Sequence, residues 1–191
     1  MDATDDESEL WRRARQDDGA AFAALFDRHH AGVYRRALGL VGEVHDAEDI
    51  AAAAFFELWR KRRSVRLVSG SVRPWLLVTT VNLSRNSRRG TARYRRLLHD
   101  IPRPDSAPGP DAEHVEARQK LAASLGRLSP DDASLVVLTA LEGIPITQAA
   151  QTLGLTAATA RVRLHRARAR LRVELEDLNP HAAASIEGSA S

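Results

Sequence analysis

The chain has no cysteine, so neither a disulfide framework nor a thiolate zinc site can be built, and a reducing cytoplasm is the expected compartment. No apolar run approaches the roughly 20 residues that a membrane-spanning helix needs. The acidic start MDATDDESEL also lacks an apolar signal core, and a soluble protein is expected. Strict apolar–polar alternation is missing too, which argues against strands. Neither a catalytic triad nor a phosphate-cradling loop can be picked out, and His29, His30 and His45 have no partners at ligand spacing. Enzyme activity, a small-molecule substrate, a cofactor and a metal are therefore not expected. The acids of DAED, from Asp46 to Asp49, could be read as a metal-binding cluster, but a helix start explains them with less.

Acids are also absent from two stretches. Every charge from Arg60 to Arg96 is positive, and the same holds from Arg161 to Arg172. The formal net charge of +3 hides this segregation, because the stretch from Asp100 to Glu116 is mostly acidic. Of the basic residues only Lys61 and Lys120 are lysine. The rigid guanidinium fork suits phosphates and guanine edges better than an ammonium does. Two separated arginine blocks point to two contacts with a polyanion.

What is present is helical periodicity. With 43% hydrophobic residues the chain can bury cores, and apolar positions recur at helical spacing over 20–41, 47–59, 75–83, 115–128, 130–141, 146–153 and 157–175. Asp46 is expected to cap one helix, with Asp49 favourable near its positive end, and Ser129 followed by Pro130 is expected to start another. The stretch HDIPRPDSAPGPDAEHVEA gathers prolines and acids and reads as a linker. The expected architecture is all-α, with two small helical domains. It comprises an acidic mobile segment over 1–15, a first domain over 16–98, a linker over 99–117, a second domain over 118–178 and a mobile tail over 179–191.

The second domain ends in a helix, a break at Gly154 and a further helix that Thr156 can cap, which is the layout of a helix-turn-helix. On the last helix Ala160, Leu164, Ala167 and Leu171 fall in one sector and should be buried. Ala158, Val162, His165, Arg166 and Ala169 then face outward. Arg161, Arg168 and Arg172 flank them on one side, and Arg163 and Arg170 on the other. A helix so arranged in a major groove would aim its middle at base edges and its flanks at phosphates.

The run LGRLSPDDASLVVLTALEGIPITQAAQTLGLTAATARVRLHRARARLR resembles the C-terminal DNA-binding domain of bacterial sigma factors of the extracytoplasmic function (ECF) group. DRHHAGVYRRALGLVGEVHDAEDIAAAAFFELW and VRPWLLVTTVNLSRNSRR resemble that group's N-terminal domain. The resemblance implies a sigma factor that binds core RNA polymerase, reads promoter DNA and works under an anti-sigma factor, commonly a membrane-bound one. It implies minus-thirty-five contacts by Thr156, Ala158, Thr159, Arg161, Val162, Arg163, His165 and Arg166. It implies minus-ten contacts by Arg73, Trp75, Thr79, Asn82, Arg85, Asn86 and Arg89, of which Thr79, Asn82, Asn86 and Arg89 share a helix face. Docking on the clamp helices of the largest polymerase subunit is implied for Asp46, Asp49, Ala52, Ala53, Phe56 and Trp59. At Ala52-Ala53 the group usually carries Gln-Glu, and alanine supplies no hydrogen bond there. The rival readings are a helix-turn-helix regulator that never engages polymerase and a DNA recombinase.

Overall fold

A computed structural model describes residues 3–97 and 112–176 of the chain. The regular elements of the described residues are all helices, with no strand and only an isolated bridge between Val68 and Ser71. The first four helices are α1 (Ala3–Ala14), α2 (Gly19–Val41), α3 (Val44–Arg60) and α4 (Arg73–Leu97). The second group is α5 (Ala112–Arg127), α6 (Pro130–Val136), α7 (Ile146–Thr152) and α8 (Ala157–Glu176). A π-helical turn, Val137–Leu141, extends α6. None of the described helices is long and apolar enough to cross a membrane.

Local chemistry sets most boundaries. Asp18 accepts from the Ala21 N–H and starts α2, and Gly42 ends it in the left-handed region. Ser129 accepts from the Asp132 N–H with Pro130 at the first turn of α6, as expected. Asp46 does not cap α3. The helix begins two residues earlier, after extended Glu43, which makes no side-chain cap bond; Asp46 lies within the first turn instead. Its charge still favours the positive helix end. The expected linker ends sooner than thought, because residues 112–117 already belong to α5, while residues 98–111 and the tail from 177 lie outside the described set.

The N-terminal segment also departs from expectation. Its acidic composition suggests mobility, yet Ala3–Ala14 is a helix that buries Trp11 and Ala14 against Leu25, Phe55 and Leu58. Glu7 is buried with them at 6% exposure. Its Oε1 faces Nε2 of His29 at 2.9 Å and accepts from the Ser71 hydroxyl at 2.9 Å and the Val72 N–H at 2.8 Å. Burial by itself would raise the Glu7 pKa. Hydrogen bonds to His29, Val72 and Ser71, with the attraction of His29, outweigh it and hold the carboxyl below its usual range.

Two large apolar clusters and a small one of Ala37, Ala47 and Ile50 form among the described residues. One joins α1 to α4 through Trp11, Leu25, Val33, Phe55, Leu58 and Leu76. The other gathers Leu125, Leu135, Leu138, Ile144, Leu164 and Leu171 from the second group and continues into Leu40, Leu77 and Val81 of the first.

Because the Glu7 pKa is lowered in the folded state, its stabilising contribution is present above the ordinary glutamate range and fades as pH falls through the folded value. Glu7→Gln should cost about 1.5–3 kcal/mol near neutral pH, the range for a hydrogen bond to a charged group. Thermal melts from neutral pH downward check this. The gap between the two proteins should close in acid, and a gap that does not change with pH would contradict the assignment.

Candidate nucleic-acid interface

The helix-turn-helix forms as its local signals require. Gly154 turns the chain at φ +66° between α7 and α8, a conformation that glycine adopts without penalty. The Thr159 N–H donates to the Thr156 hydroxyl at 3.1 Å and caps α8. Ala160, Leu164, Ala167 and Leu171 are all buried, which turns Ala158, Val162, His165, Arg166 and Ala169 to solvent. Val162 is 51% exposed, an unusual place for a large apolar side chain and a suitable one for contact with a thymine methyl group.

The two flanks of α8 are not equivalent. Arg163 is turned inward: Nε donates to Asp132 at 2.7 Å, Nη1 to Asp131 at 2.9 Å and Nη2 to the Ser129 hydroxyl at 3.0 Å. The Asp132 hydrogen bond, against the cost of burial, leads the effects that keep Arg163 protonated. For Asp132, burial would raise the pKa, but Ser129, Arg163 and the charge of Arg170 lower it. Arg163 therefore ties the recognition helix to the start of α6, and Arg170 lies on the same acidic side. Arg161 on the opposite flank is exposed.

On α4, Asn82 and Asn86 are exposed and Thr79 is half-buried. Trp75 packs partly against the first core. Arg73 pairs with Glu142, and Arg85 is buried and donates to the carbonyls of Leu125 and Leu128. The side chain of Arg89 lies outside the described set. The basic run after α3 is also partly neutralised, since Arg60 and Lys61 pair with Glu57 and Arg62 and Arg63 pair with Asp17.

On α3, Asp46, Asp49, Ala52 and Phe56 are exposed and Ala53 is half-buried. Phe56 stands 65% exposed. Trp59 does not join that surface freely: it meets Phe22 edge to face at 4.9 Å and carries the Arg62 guanidinium at 4.2 Å. Sequence reasoning missed Asp131 and Asp132 as partners of Arg163, and Glu142 as a partner of Arg73 and Arg36. Acids in a first turn looked sufficiently explained by the helix dipole.

Arg163→Lys keeps the charge but cannot reproduce three fixed bonds. It should lower stability by about 1–3 kcal/mol, whereas Arg161→Lys should leave it unchanged. Parallel thermal melts decide, and equal melting of both variants would return Arg163 to the free surface.

Among the described residues no group of acids and histidines could hold a metal. The profile of Sigma-70 region 2 matches residues 25–94, and that of Sigma-70, region 4 matches residues 118–171. The ECF RNA polymerase sigma factor SigE of Mycolicibacterium smegmatis is 35% identical over 153 residues, 78% of this chain; the chain spans 59% of that relative's length. RNA polymerase sigma factor NccH of Alcaligenes xylosoxydans xylosoxydans is 31% identical, covering 87% of this chain and 93% of NccH. CarQ of Myxococcus xanthus, also an RNA polymerase sigma factor, is 31% identical across 84% of this chain and 94% of its own. Among solved structures, CnrH in complex with the cytosolic domain of CnrY has the same fold, with a TM-score of 0.61, 24% identity and coverage of 91% of this chain and 99% of that one. With both regions matched and relatives covered almost end to end, the chain belongs to the RNA polymerase sigma factors of the sigma-70 family, in the ECF group.

Proposed function

We propose that the chain is a cytoplasmic initiation factor that binds core RNA polymerase, brings it to promoters and helps to open the duplex, with no bond chemistry of its own. The observation that carries this reading is the outward face of α8. Val162, His165 and Arg166 stand over a fully buried stripe in a helix whose first turns are free to enter a major groove. Thr156, Ala158 and Thr159 lie at that entering end, and Arg161 reaches toward phosphate. Arg163 acts through the helix rather than on DNA.

Downstream, Thr79, Asn82 and Asn86 form the polar strip of α4 offered to unpaired bases, with Trp75, Arg73, Arg85 and Arg89 around it. Polymerase docks on α3 through Asp46, Asp49, Ala52, Ala53 and Phe56, with Trp59 supporting the helix from below. Two alanines beside an exposed phenylalanine make this an apolar contact with acids at one end. An anti-sigma factor is the regulatory partner. Another solved structure of this fold holds the sigma factor RpoE in complex with the anti-sigma factor NepR from Bartonella quintana.

Physical arguments separate the contacts. A bidentate arginine–guanine pair is worth about 1–3 kcal/mol of discrimination, whereas each neutralised phosphate steepens the salt dependence by about 0.9. Arg166→Ala should change which upstream sequences are preferred. Arg161→Ala should weaken all sequences alike and reduce the salt slope by about one. Binding titrations on a fragment library at several salt concentrations read both effects, and identical profiles for the two variants would refute the division of the face.

Phe56→Ala should lower core polymerase affinity about ten-fold or more, as truncation of a central aromatic anchor does, with duplex binding retained. Run-off transcription with purified core polymerase is the decisive measurement. Duplex binding without any stimulated transcript would replace this reading with that of a regulator that never engages polymerase.

A further inference from the structure

Helix α4 has no side-chain cap of its own. Its first turn, Arg73-Pro74-Trp75, holds no acid, and Pro74 brings no N–H. Val72 stands at the N-cap position, where its carbonyl accepts from the Leu76 N–H at 3.0 Å, but its side chain has no oxygen to offer the turn. Asp18, Ser129 and Thr156 supply that oxygen locally at the starts of α2, α6 and α8. At α4 it comes from another helix.

Glu7 of α1 supplies it. Its Oε1 accepts from the Val72 N–H at 2.8 Å and from the Ser71 hydroxyl at 2.9 Å, and the same hydroxyl accepts from the Arg73 N–H at 3.0 Å. In a capping box the glutamate that reaches back to the N-cap N–H lies three residues downstream; here it lies 65 residues upstream. Two groups of α2 face the carboxylate from the other side, His29 Nε2 at 2.9 Å and Arg28 Nη1 at 4.0 Å. A buried acid is thus held at the positive end of α4, where negative charge is favoured.

Ser8 extends the hold to the turn before α4. Ser69 and Gly70 both have positive φ, and bonds between Val68 and Ser71 at 3.1 and 3.2 Å close the turn around them. A serine in the left-handed region is strained, so this turn needs support from its surroundings. The Ser8 hydroxyl donates to the Gly70 carbonyl at 3.5 Å, and Val65, Val68 and Val72 are buried beneath it.

We propose that Glu7 is a positioning residue for duplex opening: from α1 it caps α4 and so fixes where Arg73 and Trp75 stand. The DNA side of this rests on the reading above, in which the start of α4 meets the minus-ten strand. Trp75 packs partly against the first core and lines one groove with Val65 and Val68. It belongs to the turn that the cap orders. Without the cap the first turn frays, the ring loses its fixed place, and binding of an opened strand must first restore it, which lowers the competent fraction.

Hydrogen exchange on the full-length chain alone reads the cap, well below the melting transition of every variant. Glu7→Gln and Ser71→Ala should each speed exchange over residues 72–77 by about three-fold or more, within the range of a lost cap, and leave α8 unchanged. Ser71→Thr keeps the hydroxyl and should keep the slow exchange. Glu9→Gln, on the exposed side of α1, should alter nothing.

Run-off transcription with core polymerase reads the consequence on two templates, a fully paired promoter and one whose minus-ten region is held open by mismatches. Glu7→Gln and Ser71→Ala should lose transcript about three-fold or more on the paired template and recover on the mismatched one, which bypasses opening. Unchanged exchange in both variants would overturn the cap. Equal loss of transcript on the two templates, or loss on neither, would overturn the positioning role. Faster exchange in the variants, together with no transcript from the unaltered protein on either template, would uphold the cap and overturn only the sigma assignment.

Discussion

Leu76 and Leu77 are adjacent in sequence, and each is buried in a different apolar cluster. Successive residues of a helix point about 100° apart, so α4 is gripped by two cores from two directions. Rotation of the helix to suit one core would expose the apolar residue that serves the other. Thr80, fully buried beside them, returns its hydroxyl to the Leu76 carbonyl at 2.8 Å and asks nothing more of its surroundings. The sector left for solvent is narrow, and it is the one that carries Asn82 and Asn86. The polar strip of α4 is aimed by the packing of leucines on its other sides.

The same constraint sorts the arginines. A run of positive charge in sequence is a set of donors, and the fold decides which of them face water. Arg62, Arg63, Arg73, Arg85 and Arg163 all find acceptors within the chain, so much of the basic stretch that follows α3 is structural. Arg161 and Arg166 remain exposed because the buried stripe of α8 fixes them outward. The guanidinium fork suits both uses: it holds a carbonyl pair inside the protein and a base edge or phosphate outside.

Where the sequence could be read, it was read through local chemistry. Ser129 with Pro130, Gly154 and the Ala160–Leu164–Ala167–Leu171 stripe act within a turn or two of their own position, and the structure keeps them. The failures have the same origin. Asp46 had the right chemistry for a cap, but Glu43 takes the extended position before α3. The first helix was hidden because acids dominate its composition, while the residues that hold it, Glu7 and Trp11, find their partners in α2, α3 and the loop before α4.

Helix content, the turn of the helix-turn-helix and the outward face of α8 were determined by the sequence itself. They follow from a 3.6-residue period, from caps and from a glycine at positive φ, all of which act between near neighbours. Tertiary structure alone decided that Arg163 ties α8 to the start of α6, that Arg85 is buried, and that Glu142 joins Arg36 to Arg73. Arg163 and Asp132 are 31 residues apart, and Arg36 and Glu142 are 106 apart. No periodicity spans such distances; only the packing of cores that carry these helices brings the charges within reach.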